Sequence, residues 1–405
     1  MKSKNTTKKF YSKDKSEKYL ALNGGEAIAH ALRQINPDVF AMYPITPQTP
    51  IIETFAKFEA QGSVDTQIIR VESEHSALSA VIGASASGSR AVTATASQGL
   101  LYMYEMLSVA SGLRLPIVMP IANRAISAPI NIHCDHSDTM SALDQGWIQL
   151  YCENAQESYE LTIFAMKLSE KVKLPSMVCI DGFFTSHTVV NVKLFEDNKV
   201  KKFIGEYKPS YNLLDTNNPI TLGALSLPDS YFEIRVEMFN AFNNLKIDFE
   251  EVSKDFKNNF GKEIKICEDY FASNSEIVII VMYSTAESTK DVIDKFRAKG
   301  KSVGLLRPIL FRPFIYEEYF KYLKQAKQII VLDRSESIGS QAPLYKDVCL
   351  TIFNNSIDKS KEKPKVYSYV FGLGGREFSD RQIEELLLNH LSGKIPKEKY
   401  LGLKK

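Results

Sequence analysis

Short apolar runs alternate with stretches of helical periodicity along the first half of the chain. The runs have the length of buried strands, and the stretches between them repeat apolar residues every three or four positions. The predicted strands are Val39–Tyr43, Gln67–Val71, Ala91–Ala96, Ile117–Ala122, Trp147–Cys152 and Ser176–Ile180. The predicted helices are Glu26–Gln34, Ile51–Glu59, Glu74–Gly88, Gly99–Ser111 and Ala155–Val172. This alternation predicts an α/β domain in which helices cover both faces of a mostly parallel sheet.

A second region of alternating strands and helices begins at Glu276. Its predicted strands are Ile277–Met282, Ser302–Leu306, Gln328–Leu332 and Lys365–Val370, and its predicted helices are Thr289–Lys299 and Ala342–Phe353. Between the two regions, residues 190–270 are first polar and turn-rich and then form one charged amphipathic helix from Tyr231 onward. We therefore predict two α/β domains, a larger one at 19–250 with a linker from about 190, and a smaller one at 272–392.

Charge and cysteine content narrow the class of protein. The 405 residues carry a net charge of +2, but lysines concentrate in the ends, 1–18 and 393–405, so the body between them is acidic. An acidic body argues against a nucleic-acid-binding surface, and we predict that the basic ends are solvated tails. The five cysteines are scattered without a CxxC pair, which argues against an iron–sulfur cluster or zinc ribbon held by this chain alone and fits reduced thiols.

The apolar segments indicate a cytoplasmic protein. The lysine-rich start lacks the apolar core of a secretory signal. The longest apolar runs, such as Ile277–Tyr283, are too short to span a bilayer. We therefore expect a soluble protein in the cytoplasm with no membrane association.

Two strand-to-helix junctions carry polar residues that could serve a ligand. The proline-rich loop Tyr43–Pro50 follows a predicted strand and presents the Thr46 hydroxyl toward the end of the sheet where α/β proteins bind ligands. The next junction carries Glu72 and Glu74 ahead of a helix, where a buried carboxylate could exchange a hydrogen bond with a cofactor nitrogen. Each junction also has a purely structural explanation, namely a rigid connector for the loop and helix-dipole complementation by the glutamates.

Three further groups follow the next strands. Ser97 and Gln98 occupy a strand-to-helix turn, where an ordinary N-cap by Ser97 is the simpler interpretation. Arg124 follows the strand Ile117–Ala122, and a guanidinium there can bind a carboxylate through two hydrogen bonds or pair with an acid of this chain. His133–Asp138 looks like a metal cluster, but adjacent residues rarely converge on one ion, so we predict the polar rim of an active site and no metal site.

The signatures of several common enzyme classes are missing from the sequence. It contains no Walker A motif and no GxSxG around a serine, and the glycines of Gly372–Gly375 do not have the GxGxxG spacing. These absences argue against a kinase-like protein, a hydrolase of the GxSxG type and a nicotinamide-dependent dehydrogenase.

Six motifs together resemble one family, the alpha subunit of the four-subunit pyruvate:ferredoxin (or flavodoxin) oxidoreductase, also known as pyruvate synthase. They occur in the order of that family over about residues 20–205, and they are Tyr43-Pro44-Ile45-Thr46-Pro47, Glu72-Ser73-Glu74-His75, Thr95-Ala96-Ser97-Gln98-Gly99-Leu100, Asn123-Arg124-Ala125, Cys134-Asp135-His136-Ser137-Asp138 and Asp181-Gly182-Phe183-Phe184-Thr185-Ser186-His187. Residues 272–380 resemble its second domain, of the transketolase C-terminal type, with weaker motifs at Asp333-Arg334 and Phe371–Gly375.

The resemblance implies a domain that binds the pyrimidine ring of thiamine diphosphate. It implies that Glu74 bonds ring nitrogen N1′ and favours the imino tautomer, with Ser97 and Gln98 as further cofactor-binding residues. It also implies that Thr46 and Arg124 hold the substrate and, with Glu74, are the catalytic residues. The implied reaction is the oxidative decarboxylation of pyruvate to acetyl-CoA and CO₂ with electrons passed to ferredoxin or flavodoxin, reversible as a pyruvate synthase.

The resemblance also implies partner subunits. The chain lacks the Gly-Asp-Gly…Asn motif that holds the diphosphate and Mg²⁺, and it lacks cluster cysteines, which in the family lie on other subunits. We therefore expect a beta subunit with the diphosphate and Mg²⁺ site, gamma and delta subunits with iron–sulfur clusters, and coenzyme A as a co-substrate. Two alternatives stay open: the same machinery acting on another 2-oxo acid, such as 2-oxoglutarate or a branched-chain one, and a non-catalytic assembly subunit with this fold.

Overall fold

The computed structural model describes residues 18–210, 212–355 and 363–404. Within these ranges, no helix combines the length and the apolar character needed to cross a lipid bilayer. The alternation of strands and helices predicted from the sequence is confirmed in both halves of the chain. The basic tail predicted at 1–18 lies outside the described residues except for Lys18.

The larger sheet belongs to the first domain, and its strands are numbered in chain order. They are β2 (Val39–Met42), β3 (Gln67–Arg70), β4 (Ala91–Val92), β5 (Val118–Asn123), β6 (Ile148–Tyr151), β7 (Ser176–Asp181) and β12 (Leu310–Arg312). Among the described residues the sheet has the order β12, β6, β7, β5, β4, β2 and β3, and β12 alone runs antiparallel to its neighbour. Every residue of β5, β6 and β7 is buried, as expected for strands covered on both faces.

Helices on both faces of this sheet cover its apolar surface. They are α1 (Gly24–Ile35), α2 (Thr49–Ala60), α3 (Glu74–Ala86), α4 (Ser97–Tyr102), α5 (Tyr104–Gly112), α6 (Ser137–Ser141) and α7 (Ala155–Val172). The start of α1 is fixed by a capping box in which Asn23 and Glu26 each accept a backbone N–H of the other. The bounds of α7 are those predicted from the sequence.

The segment predicted as a linker from about 190 begins with ordered structure of the first domain. Strand β8 (Val190–Leu194) pairs antiparallel with β1 (Lys18–Leu22), and α8 (Asp197–Ile204) follows it. The linker prediction is therefore wrong for this part, because α8 buries Val200 and Phe203 against the domain core. The five residues of β8 alternate between apolar and polar, a strand pattern that the sequence analysis did not use.

Two helices follow where the sequence predicted one. They are α9 (Tyr231–Asn243) and α10 (Leu245–Phe260), with Asn244 between them. Helix α10 packs on α7, where the rings of Phe249 and Phe164 lie 4.9 Å apart. Met238 is the one buried residue of α9.

The second domain is built on a smaller, mostly parallel sheet. Its strands are β9 (Cys267–Tyr270), β10 (Ile277–Ile280), β11 (Val303–Pro308), β13 (Gln328–Asp333), β14 (Lys365–Phe371) and β15 (Tyr400–Leu401). Across the part of the chain that is described, the order is β15, β14, β13, β10, β11 and β9, and β9 is antiparallel to β11. The helices of this domain are α11 (Ser284–Ala298), α12 (Tyr316–Leu323), α13 (Pro343–Asn355) and α14 (Asp380–Leu391).

Two strands depart from the predicted domain plan. Residues 393–405 were expected to be a solvated tail, but β15 within them pairs with β14 through Val370 and Phe371. Strand β12 lies in the sequence range of the second domain and yet completes the larger sheet beside β6. Strand β12 pairs with a strand about 160 positions earlier in the chain, a contact that no local pattern reports, and β15 has only 2 residues, too few to show a strand pattern.

Candidate active site

The larger sheet places the predicted site residues at the carboxyl ends of four adjacent strands. Arg124 follows β5, Ser97 follows β4, Thr46 follows β2 and Glu74 follows β3, and these strands are neighbours in that order. Because parallel strands end at the same edge of a sheet, the four residues share one edge, where α/β proteins bind ligands. The residues that the sequence analysis selected are therefore brought to one region.

Glu74 is the first residue of α3, and its side chain is buried, with 7% of the residue exposed. The capping role falls to the preceding Ser73, whose hydroxyl accepts the N–H of Ser76 at 3.2 Å. Among the described residues we find no hydrogen bond or ion pair to the Glu74 carboxylate. The carboxylate oxygens are not among the fully buried polar atoms that lack a partner, so they keep a narrow contact with solvent and are available to a polar ligand group.

Glu72 has a different environment. It is exposed, and its carboxylate accepts a short hydrogen bond from the Ser76 hydroxyl, which lowers the pKa of Glu72 below its ordinary value. The geometry therefore favours Glu74 over Glu72 as the acid that faces a ligand.

Helix α4 begins directly against the Glu74 carboxylate. A Cβ on Gly99 would lie 2.7 Å from Glu74 Oε1 and would overlap Thr95 Oγ1, so this position accommodates glycine only. The Thr95 hydroxyl is buried and has no partner within the described residues. A carboxylate and a free hydroxyl around one glycine provide polar groups for a nitrogen-containing ring, so these residues fit the pyrimidine of thiamine diphosphate.

Ser97 does not cap the helix, and the N-cap interpretation is wrong. The N-cap is Ala96, while Ser97 is the first helical residue with a left-handed φ of 47°. The Ser97 hydroxyl donates to the carbonyl of Ala125 at 2.6 Å and lies 2.7 Å from Gln98 Oε1. The turn is thus tied to the segment that follows β5 rather than to its own helix.

Arg124 lies beside the proline-rich loop. Its Nη1 donates to the carbonyl of Thr46 at 3.0 Å, and its Nε donates to the carbonyl of Asn131 at 3.0 Å. Among the described residues, no acid pairs with this guanidinium, and no group accepts a hydrogen bond from its Nη2. Arg124 and the exposed Thr46 therefore lie together, with part of the guanidinium free for an incoming carboxylate.

Gln48 fixes the proline-rich loop from within. This residue is fully buried, and its amide nitrogen donates to the carbonyls of Tyr43 at 2.9 Å and Ala94 at 3.2 Å. Sequence analysis did not select Gln48. Its position in a loop rich in proline is the signal that marks it, since such a loop needs side chains to satisfy its carbonyls.

Asp138 connects the turn at Ser97 to the segment that follows β5. Its buried carboxylate accepts N–H groups from Ser97 at 2.9 Å, Arg124 at 3.0 Å and Thr139 at 2.8 Å, and the side-chain amide of Asn123 at 2.7 Å. Burial raises the pKa of Asp138 to about 7, and the four donors oppose that rise. Sequence analysis placed this residue in a polar rim and missed its role as a junction.

Cys134, His136 and Asp181 have ligand atoms close enough to hold a metal ion. However, the Arg334 guanidinium of the second domain lies 3.3 Å from Asp181 Oδ2, where it supplies the positive charge that a cation would. Burial opposes ionisation of Asp181, but Arg334 and the hydrogen bond from His136 outweigh it and hold the pKa of Asp181 well below its ordinary value. The cluster is therefore an ion pair between the domains.

Comparison with known proteins identifies the family. Residues 30–254 match the family model described as pyruvate flavodoxin/ferredoxin oxidoreductase, thiamine diphosphate-binding, and residues 275–383 match pyruvate:ferredoxin oxidoreductase core domain II. The chain is 47% identical over 389 residues to the pyruvate synthase subunit PorA of Thermotoga maritima, which covers 95% of this chain and 98% of that protein. It is 39% identical over 382 residues to the ketoisovalerate oxidoreductase subunit VorA of Pyrococcus horikoshii, covering 93% and 96%.

A solved structure supports the same fold. The 2-oxoglutarate:ferredoxin oxidoreductase from Magnetococcus marinus superposes with a TM-score of 0.72 at 19% identity, covering 93% of this chain and 66% of that one. The resemblance drawn from the six motifs is thus confirmed by the family models and by relatives of nearly equal length. The chain belongs to the pyruvate flavodoxin/ferredoxin oxidoreductase family.

Proposed function

We propose that this chain is the pyrimidine-binding subunit of a thiamine-diphosphate-dependent pyruvate:ferredoxin or flavodoxin oxidoreductase, which converts pyruvate and coenzyme A to acetyl-CoA and CO₂. The observation that carries the proposal is Glu74: the residue is largely buried, its carboxylate has no partner among the described residues, and it lies against Gly99 at the start of α4. The relatives named as pyruvate synthase subunits support pyruvate as the substrate.

The residues of this chain have separate roles toward the cofactor and the substrate in this proposal. When bound, thiamine diphosphate supplies the nucleophilic carbon for the keto group and accepts the electrons left by decarboxylation. Glu74 holds a proton at the pyrimidine nitrogen, and Ser97 and Gln98 line the turn beside it. The Arg124 guanidinium binds the carboxylate of the 2-oxo acid, and the Thr46 hydroxyl on the neighbouring loop bonds the same substrate.

Arg124→Lys should raise the pyruvate KM of the assembled enzyme by about 10- to 100-fold. A lysine ammonium cannot reproduce the planar fork, and a hydrogen bond to a charged group is worth about 1.5–3 kcal/mol. Thr46→Val should raise KM in the same direction and by less. Steady-state kinetics with a viologen dye as electron acceptor measures both variants.

Arg114→Lys is the matched control for Arg124→Lys. The Arg114 side chain donates to the carbonyls of Val172 and Lys173, away from the sheet edge that holds the site. The pyruvate KM of the Arg114→Lys variant should therefore equal that of the wild type. Unchanged kcat/KM in both Arg124→Lys and Thr46→Val would contradict the substrate role.

A panel of 2-oxo acids tests the alternatives in the same assay. The similarity to a ketoisovalerate oxidoreductase subunit makes branched-chain acids the strongest second candidates. A larger kcat/KM for one of these, or for 2-oxoglutarate, would replace pyruvate as the substrate. No turnover with any of them by a fully assembled, cofactor-loaded complex would favour the non-catalytic assembly role.

The isolated chain should bind thiamine diphosphate weakly. It lacks a Gly-Asp-Gly…Asn motif for Mg²⁺, and a diphosphate in a cleft without cation or donors is poorly compensated. We propose that a beta subunit supplies that site and that gamma and delta subunits carry the iron–sulfur clusters. Calorimetry should show tight, Mg²⁺-dependent binding only after the beta subunit is added, whereas sub-micromolar binding by the chain alone would rule out a shared site.

A further inference from the structure

The glycine turn of the second domain, Gly372–Gly375, contacts the segment that follows Arg124. The N–H of Gly375 donates to the carbonyl of Cys134 at 2.6 Å, and the carbonyl of Gly374 accepts the side-chain amide of Asn131 at 3.0 Å. These bonds join residues more than two hundred positions apart and connect the two domains. The turn therefore holds Asn131–Asp135 from the side of the second domain.

Backbone conformation favours glycine at Gly374 and Gly375, and close contact requires it at Gly375. Gly374 has a φ of 61° and Gly375 a φ of 78°, in the left-handed region that L-residues rarely adopt. A Cβ on Gly374 would overlap Asn131 Nδ2, and a Cβ on Gly375 would overlap the Cβ of His133. The atom that a Cβ on Gly374 would meet is the end of a side chain, which can turn away. The atom that a Cβ on Gly375 would meet is the Cβ of His133, so a substitution at Gly375 must move the segment.

The segment Asn131–Asp135, which the glycine turn holds, also fixes the position of Arg124. The Asn131 carbonyl accepts the Nε of Arg124 at 3.0 Å, and the His133 carbonyl accepts the N–H of Ala125 at 3.0 Å. The guanidinium therefore donates to two carbonyls, that of Thr46 in the first domain and that of Asn131, whose side chain bonds the second domain. Displacing Asn131 removes one of the two supports that aim the guanidinium.

We propose that the turn Gly372–Gly375 is a positioning element for substrate binding, acting through Asn131 and His133 on Arg124. This inference rests on the proposed function, because it assumes that Arg124 binds the carboxylate of the 2-oxo acid. It assigns the second domain a part in the pyruvate site, although none of its residues needs to touch the substrate.

Gly375→Ala in the assembled enzyme tests the proposal. We expect the pyruvate KM to rise by about 10- to 100-fold, the scale of a misplacement of roughly 1 Å at a reacting group, with kcat little changed. Gly393→Ala is the matched control, since Gly393 lies in the same domain with a φ of 72° and has no atom within 4 Å of its Cβ position. The control should keep the wild-type KM.

A second variant covers the case in which Gly375→Ala does not fold. Asn131→Ala removes the side-chain bond to Gly374 but keeps the carbonyl that accepts from Arg124, so it should raise KM by a smaller factor. In the Arg124→Lys background either change should add little to KM, because residues that act through one another are not additive. Full additivity would show that the turn does not act through Arg124.

The outcomes separate this inference from the proposed function. If Arg124→Lys raises KM while Asn131→Ala and a folded Gly375→Ala leave it unchanged, the positioning role is overturned and the substrate role of Arg124 stands. If Arg124→Lys leaves KM unchanged, the substrate role of Arg124 fails and this inference fails with it, whereas the role of Glu74 in the proposed function is tested separately. A fall in kcat and in thermal stability without a change in KM would mark the turn as purely structural and would also overturn the inference.

Discussion

Replacing Glu74 by glutamine in the assembled enzyme is expected to lower kcat with pyruvate by about 10²–10⁴-fold, the usual contribution of a positioned acid or base. Glutamine has nearly the same size, so the contact with Gly99 and the fold should survive. The change removes the ability to hold a proton at the cofactor nitrogen. Rapid steady-state assays, together with cofactor content after purification, separate lost chemistry from lost binding.

Glu72→Gln is the control for this experiment. Glu72 lies two positions away, is exposed and bonds the hydroxyl of Ser76, so its loss should change kcat by less than about twofold. Near wild-type turnover in a well-assembled Glu74→Gln enzyme would contradict the role of Glu74. A large loss in Glu72→Gln together with that result would assign the role to Glu72.

Gly99→Ala is expected to produce the second largest loss, a decrease in kcat of about 100-fold. The added methyl would lie 2.7 Å from Glu74 Oε1 and overlap the Thr95 hydroxyl, so the carboxylate must move away from its ligand-facing position. Overpacking of this kind should also lower the free energy of unfolding by about 1–3 kcal/mol. Turnover assays and chemical denaturation measure the two effects.

Gly83→Ala provides the comparison for Gly99→Ala. Gly83 lies in the adjacent helix α3 and has no atom within 4 Å of its Cβ position, so alanine there should be neutral or slightly stabilising. If Gly99→Ala turns over like Gly83→Ala, the close packing of α4 against Glu74 does not set the position of the acid.

Local patterns predicted the parts of this fold that depend on local forces. The periodicity of Ala155–Val172 gave a helix with the observed bounds, and apolar runs located β5 and β7 to within a residue or two. The ends of predicted strands are also informative, because the residues that follow parallel strands converge at one edge of the sheet. The family resemblance pointed to Thr46, Glu74 and Arg124, and the convergence of strand ends explains why the three residues share one edge of the sheet.

Other features required contacts that no local pattern encodes. Asp138 accepts N–H groups from two different strand ends, and its sequence neighbourhood looked like a metal cluster rather than a junction. The glycines at Gly374–Gly375 lack the spacing of a nucleotide-binding motif, and their left-handed backbone instead allows close contact with Asn131 and His133. In both cases the partner lies elsewhere in the chain, and only the folded structure brings it near.

Strand β12 limits how far the two domains can be treated as interchangeable modules. It comes from the sequence range of the second domain, yet it covers the edge of the larger sheet at β6. A chain cut after α10 would leave the backbone N–H and C=O groups of β6 open for pairing with other molecules, which favours aggregation. Recombination that exchanged one domain alone would meet the same obstacle, so the pair is expected to be inherited and replaced as a unit.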